Sequence, residues 1–178
     1  MITGDRSNEN TFVHEIAHQW WGNLVTPVDW HHTWLNEGFA TFSEALYIES
    51  RKGPASYRQY IDVLMDQPRG FYAGSVIGRD EDAFWDSFGP AVYYKGALTL
   101  HMLRRMMGDE IFFRCLRSYL RDPRFAYGNA STEDFRSHCE SHYEKDLGWF
   151  FDQWVYTRRD STDRPGIAYG WEERPADS

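Results

Sequence analysis

The chain has 178 residues, 17% of them aromatic with eight tryptophans, which is enough to bury a sizeable core in a single domain. Its net charge of −8 argues against non-specific nucleic-acid binding, and its apolar runs are short and broken by charges, which excludes a membrane-spanning helix. Two cysteines, Cys115 and Cys139, lack C-x-x-C spacing and are expected as buried free thiols on separate helices rather than as a redox or second metal motif.

In chain order, the residues before Thr11 lack the basic region and hydrophobic core of a secretory signal. A soluble, cytoplasmic protein is the expectation, with the compartment otherwise unassigned. A first helix is expected over about Thr11–Trp21, where Phe12, Val13, Ile16 and Ala17 are apolar, Trp20 and Trp21 continue the run, and Gly22-Asn23 supplies a stop. Inside it, residues 14–18 read HEIAH. Histidines four apart lie on one helix face about a turn apart, so His14 and His18 can grip one metal ion. A second helix is expected over Thr33–Arg51 from the spacing of Leu35, Phe39, Phe42, Leu46 and Tyr47, packed antiparallel to the first across a short loop. It carries Glu37 after an eighteen-residue gap from His18. Catalytic zinc takes three protein ligands and keeps a fourth position for water. Two histidines are one ligand short, and Glu37 is the third. Glu15 adjoins a ligand in sequence but points to another side of the helix, where it can reach the metal's water as general base. Asn36 reads as solvated or bonded to backbone, and His31 and His32 as loop residues. His101, His138 and His142 show no ligand spacing.

Beyond the second helix, Gly53-Pro54 ends one helix and opens another through Tyr57, Tyr60, Ile61 and Leu64, closed by Pro68-Arg69-Gly70. Residues 71–89 have no sustained period and read as a long aromatic loop forming one wall of a cleft. Helices follow over Pro90–Met107, closed by Gly108, and over Asp109–Leu120; Ser131-Thr132-Glu133-Asp134 caps a helix over Phe135–Tyr143, and a last aromatic helix spans Leu147–Tyr156. Two domain assignments result: residues 1–157 as a mainly α, partial catalytic domain, and residues 158–178 as an extended tail leading towards a further module.

The stretch HEIAHQWWGNLVTPVDWHHTWLNEGFATFSEALY closely resembles the zinc aminopeptidases of the aminopeptidase N type, the gluzincin family that also contains leukotriene A hydrolase. VYYKG, YGNASTEDF and LGWFFDQWVY carry the resemblance through most of the chain. It implies the helical part of a thermolysin-like catalytic domain, with the HExxH helix packed on the Glu37 helix. It also implies one zinc ion per chain and peptide substrates cut at the amino terminus. Tyr93 matches the family's tyrosine that donates a hydrogen bond to the oxyanion; read from the residues alone, it is a core aromatic. One departure stands out. The family's G-x-M-E-N word, whose glutamate holds the substrate's free amine, does not occur in the thirteen residues before His14. The expectation is therefore a catalytic-domain fragment with an exposed apolar face, prone to self-association or to docking of an amino-terminal domain. Endopeptidase or epoxide hydrolase use of the same zinc site, or zinc binding with little turnover, stand as alternatives.

Overall fold

Helix α2 (Trp34–Lys52) is the element against which most others pack in the computed structural model, which describes residues 9–67, 75–77 and 88–156. Its near-continuous burial from Trp34 to Phe42 explains this role, since a helix apolar on most sides needs neighbours on most sides. Helices α1 (Glu9–Ala17), α3 (Pro54–Met65) and α4 (Gly96–Met107) lie against it. Helices α5 (Asp109–Tyr119), α6 (Thr132–Tyr143) and the short α7 (Gly148–Phe151) complete the helical set among the described residues. The mainly α reading holds, and no helix there is long and apolar enough to cross a membrane.

Local chemistry sets the boundaries. Gly53 adopts φ 85° between α2 and α3, and Pro54 then occupies the first turn of α3, where its missing N–H costs nothing. Ser131 and Asp134 form the expected capping box, Ser131 Oγ accepting from the Asp134 N–H at 3.1 Å while Asp134 accepts from the Ser131 N–H at 2.9 Å.

Four expectations need correction. Helix α1 stops at Ala17, not Trp21, because residues 18–25 form a wider fold-back. The N–H groups of Asn23, Leu24 and Val25 reach five residues back to His18, Gln19 and Trp20. Tertiary packing drives this turn: Trp21 is buried 4.5 Å from the Phe39 ring and donates Nε1–H to Ser43 Oγ. Second, the loop before α2 is not plain. It holds a strand β1 (Val25–Pro27), paired in parallel with β2 (Gly128–Ala130), and a single 3₁₀ turn at Trp30–His32. Third, the helices expected over Pro90–Met107 and Leu147–Tyr156 are each interrupted by a wide π-turn, Ala91–Lys95 before α4 and Asp152–Tyr156 after α7. Fourth, Asn36 is half-buried, and its Oδ1 is buried against Gly22 without a hydrogen-bond partner. Most of the loop assigned to residues 71–89, and the whole tail 158–178, lie outside the described residues.

The core is aromatic. Trp34, Phe39, Phe135 and Phe151 meet edge to face or tilted at 5.1–6.5 Å. Trp34 also donates Nε1–H to Thr132 Oγ1 at 2.8 Å, tying the start of α2 to the start of α6. Cys115 and Cys139 are free, buried, and 3.6 Å apart between α5 and α6. On the outside of α1 and of the turn after it, Phe12, Ile16 and Trp20 are 40%, 58% and 47% exposed and stand four residues apart.

Candidate metal centre

Helix α1 presents His14, and His18 follows one turn later in the fold-back just past its end, its N–H still bonded to the His14 carbonyl; α2 runs antiparallel beside them, so that Glu9 meets Tyr47 whereas His18 meets Glu37. That crossing brings His14, His18 and Glu37 together, with one ligand atom from each lying within 4.8 Å of the others; among the described residues it is the only such group of three. Glu37 Oε2 is 3.1 Å from His14 Nε2 and 3.4 Å from His18 Nε2, so both imidazoles aim the same nitrogen at one point.

The remaining ring nitrogens are also held. His18 Nδ1 lies 3.1 Å from the Trp21 carbonyl, so the fold-back that ends α1 orients the second histidine. His14 Nδ1 lies 2.9 Å from Glu44 Oε1. With an N–H donated at Nδ1, Nε2 is the nitrogen from which a metal would displace the proton now shared with Glu37, which gives the tautomer a metal requires.

Electrostatics fit the same purpose. Burial disfavours a charged His14, but hydrogen bonds to Glu37 and Glu44 outweigh it and push the imidazole up to about 9. Burial would raise Glu37, yet hydrogen bonds from His14 and His18 bring it down to about 2. His18 is raised chiefly by its hydrogen bond to Glu37. A charged His14 thus sits against an anionic Glu37, with His18 shifted in the same direction, a charge pattern that a divalent cation would replace. Two nitrogens and one carboxylate oxygen make a donor set suited to catalytic zinc.

Glu15 is exposed on α1. Tyr93, in the π-turn Ala91–Lys95, lies with its ring 6.1 Å from that of His14 and nearly parallel at 22°. Burial raises the Tyr93 phenol, and the charges of Glu37 and Glu15 raise it further, so all three groups act on one space. A pair of glycines permits this approach. A Cβ built on Gly38 would fall 2.9 Å from Gly96 Cα, so α2 and the start of α4 touch backbone to backbone between Glu37 and Tyr93.

Other histidines serve elsewhere. His32 Nδ1 accepts from the Thr132 N–H and hydroxyl, His31 sits on Asp29, His101 on the Tyr57 hydroxyl, and His138 on the Cys115 carbonyl. Sequence reasoning missed Glu44 and Tyr60, whose hydroxyl donates to Glu44 Oε2 at 2.8 Å. Glu44 was findable as a carboxylate two turns beyond Glu37 on the same helix face; Tyr60 carried no signal beyond its helical spacing.

Comparison with known proteins places these features in a family. Residues 2–154 match the Peptidase family M1 domain. Aminopeptidase N of Streptomyces lividans is 31% identical over 166 residues, covering 88% of this chain and 19% of its own length. Aminopeptidase M1-A of Oryza sativa subsp. japonica is 36% identical over 129 residues, covering 68% of this chain and 14% of its own. Among solved structures, an M1 zinc metallopeptidase from Deinococcus radiodurans bound to a Tyr-Ser-Ala substrate superposes with a TM-score of 0.76 at 29% identity, over 89% of this chain and 35% of that one. Yeast LTA4 hydrolase shares the fold, with a TM-score of 0.75 at 24% identity over 97% of this chain and 28% of its own. The chain thus spans less than a fifth of the length of these two aminopeptidases. With the family domain matched over nearly its whole described length, the chain belongs to peptidase family M1.

Proposed function

We propose that this chain carries the zinc centre of a peptide-hydrolysing enzyme whose full-length form is an aminopeptidase. The convergence of His14, His18 and Glu37 on one point carries the reading, and the aminopeptidase names of the relatives support it. The three residues hold one zinc ion per chain. Zinc supplies Lewis acidity, lowering the pKa of a water from near 16 towards roughly 7 and polarising the scissile carbonyl.

The chain's own groups do the rest. Glu15 accepts the proton of the attacking water and returns it to the leaving amine. Tyr93 stays a neutral phenol because its pKa is raised, and it donates its O–H to the oxyanion as charge develops on the former carbonyl oxygen. The apolar stripe of Phe12, Ile16 and Trp20 serves self-association or docking of a further domain, which size-exclusion chromatography reads directly.

Metal analysis and an activity assay test the proposal. Purified protein should contain zinc at one per chain, and Glu37→Ala should lose it. Zinc-loaded wild type should cleave aminoacyl chromogenic amides, and Glu15→Gln, with the same zinc content, should not. Full zinc retention by Glu37→Ala refutes the ligand set; equal rates for wild type and Glu15→Gln reduce the chain to a zinc-binding module.

A further inference from the structure

The two histidines of the metal centre are supported unequally. His18 rests on a neutral acceptor, the Trp21 carbonyl. His14 has a carboxylate at each nitrogen, Glu37 at Nε2 and Glu44 at Nδ1. Glu44 in turn has both oxygens engaged, Oε1 by His14 at 2.9 Å and Oε2 by the Tyr60 hydroxyl at 2.8 Å. The line Tyr60–Glu44–His14 therefore runs from α3 through α2 to α1.

Glu44 is not a fourth ligand. It faces the opposite edge of the His14 ring from Glu37, so its oxygen and the His14 Nε2 lone pair cannot share one ion. Nor is it a solvated surface acid. Its side chain and that of His14 are each 13% exposed, which keeps water from competing for the Nδ1–H. A carboxylate at Nδ1 pins the ring's rotation, selects the Nε2 lone pair and raises the imidazole's basicity towards a metal. A phenol on the second oxygen removes the remaining freedom, rotation of the carboxylate itself.

We infer that Glu44 and Tyr60 form a positioning pair that fixes His14 as an Nε2 ligand and strengthens the centre's grip on zinc. The inference rests on the zinc reading above. Neither residue touches the reacting atoms; both act through His14. It makes the two histidine ligands electronically distinct, His14 backed by an anion and His18 by a backbone dipole.

The test is zinc affinity of the full chain, measured near neutral pH by competition with a chromogenic chelator. Glu44→Gln keeps an oxygen for the Nδ1–H but removes the charge, and should weaken zinc binding about 10- to 100-fold. Tyr60→Phe removes one hydrogen bond and should weaken it roughly fivefold. Cobalt substituted for zinc gives a readout that simple destabilisation would not move: the visible bands of Glu44→Gln should shift relative to wild type, with unchanged circular dichroism. Should Glu44→Gln fail to fold, Tyr60→Phe decides alone. Affinities within twofold of wild type in both variants, or unshifted cobalt bands in Glu44→Gln, overturn the pair. Wild type that binds no zinc, or Glu37→Ala that binds it as tightly, instead overturns the metal reading beneath it.

Discussion

Replacing Gly38 or Gly96 by alanine tests how Tyr93 is brought to the metal centre. A methyl carbon on Gly38 would lie 2.9 Å from Gly96 Cα, and one on Gly96 3.0 Å from Gly38 Cα. Carbon atoms rest comfortably at about 3.5 Å or more, so the two backbones must part by roughly 0.5 Å to admit either methyl. No flexible side-chain end can absorb the movement, because both partners are backbone of packed elements. Glu37 precedes Gly38 by one residue and Tyr93 precedes Gly96 by three, so the gap opens between carboxylate and phenol. Overpacking of this kind costs about 1–3 kcal/mol, and alanine's better helix propensity offsets up to about 1 kcal/mol of it. With the full offset the remaining loss is about 0–2 kcal/mol, which lowers the melting temperature of a chain this size by up to roughly 8 °C. Misplacement by 1 Å can cost about a hundredfold in rate, so half of that predicts a kcat about tenfold lower with little change in KM. Thermal unfolding by circular dichroism and steady-state kinetics on an aminoacyl amide measure the two effects. If Gly38→Ala and Gly96→Ala both melt at or above the wild-type temperature and keep kcat, the close approach has no role in holding Tyr93.

Two further outcomes follow from the core. His101 is buried beside the Arg104 and Arg105 charges, and its pKa is lowered from 6.5 to about 4. The unfolded chain therefore takes up a proton that the folded chain refuses as pH falls through that window, costing at most about 3 kcal/mol by pH 4. His101→Gln, whose amide oxygen can still accept from the Tyr57 hydroxyl, should lose stability less steeply than wild type between those two pH values in urea melts; parallel curves would show that His101 does not titrate as described. Cys115 and Cys139 are buried as a pair, and burial lifts the Cys139 thiol well above its usual range. Neither should react with a thiol reagent in the native chain, and both should react in denaturant; a rapid native reaction would contradict their burial.

The His14–His18–Glu37 cluster was legible in the sequence because each part of it is local. The spacing of His14 and His18 has meaning only on a helix, and the apolar run around them supplied one. Glu37 lay on a second helix whose limits, Trp34 to Lys52, differ from expectation by a single residue at each end. What could not be read depends on partners distant in sequence. Helix α1 ends early because Trp21 turns inward onto Phe39 and Ser43, and β1 exists because Gly128–Ala130 offers an edge from the far half of the chain. Tyr93 had no local signature. Its phenol sits at the site through a π-turn and a glycine contact, neither of which periodicity reports, and only the family resemblance singled it out.

Those particulars converge on helix α2, whose successive faces serve different parts of the centre. Glu37 points to the histidines, Gly38 admits the Tyr93 turn, Ser43 anchors Trp21 and through it the fold-back that orients His18, and Glu44 holds His14. Each residue along a helix turns by roughly 100°, so a slip of one position would misdirect all four together. Rigidity of α2 about its own axis is therefore a requirement of the chemistry. Trp34 supplies it at the end nearest Glu37, fully buried and bonded through its indole to Thr132 at the start of α6. Among the described residues, the α5–α6 half of the fold contributes none of the three clustered side chains. Through Trp34 it fixes the rotation of the helix that carries Glu37, so the geometry of the candidate centre depends on a core extending well beyond the elements that form it.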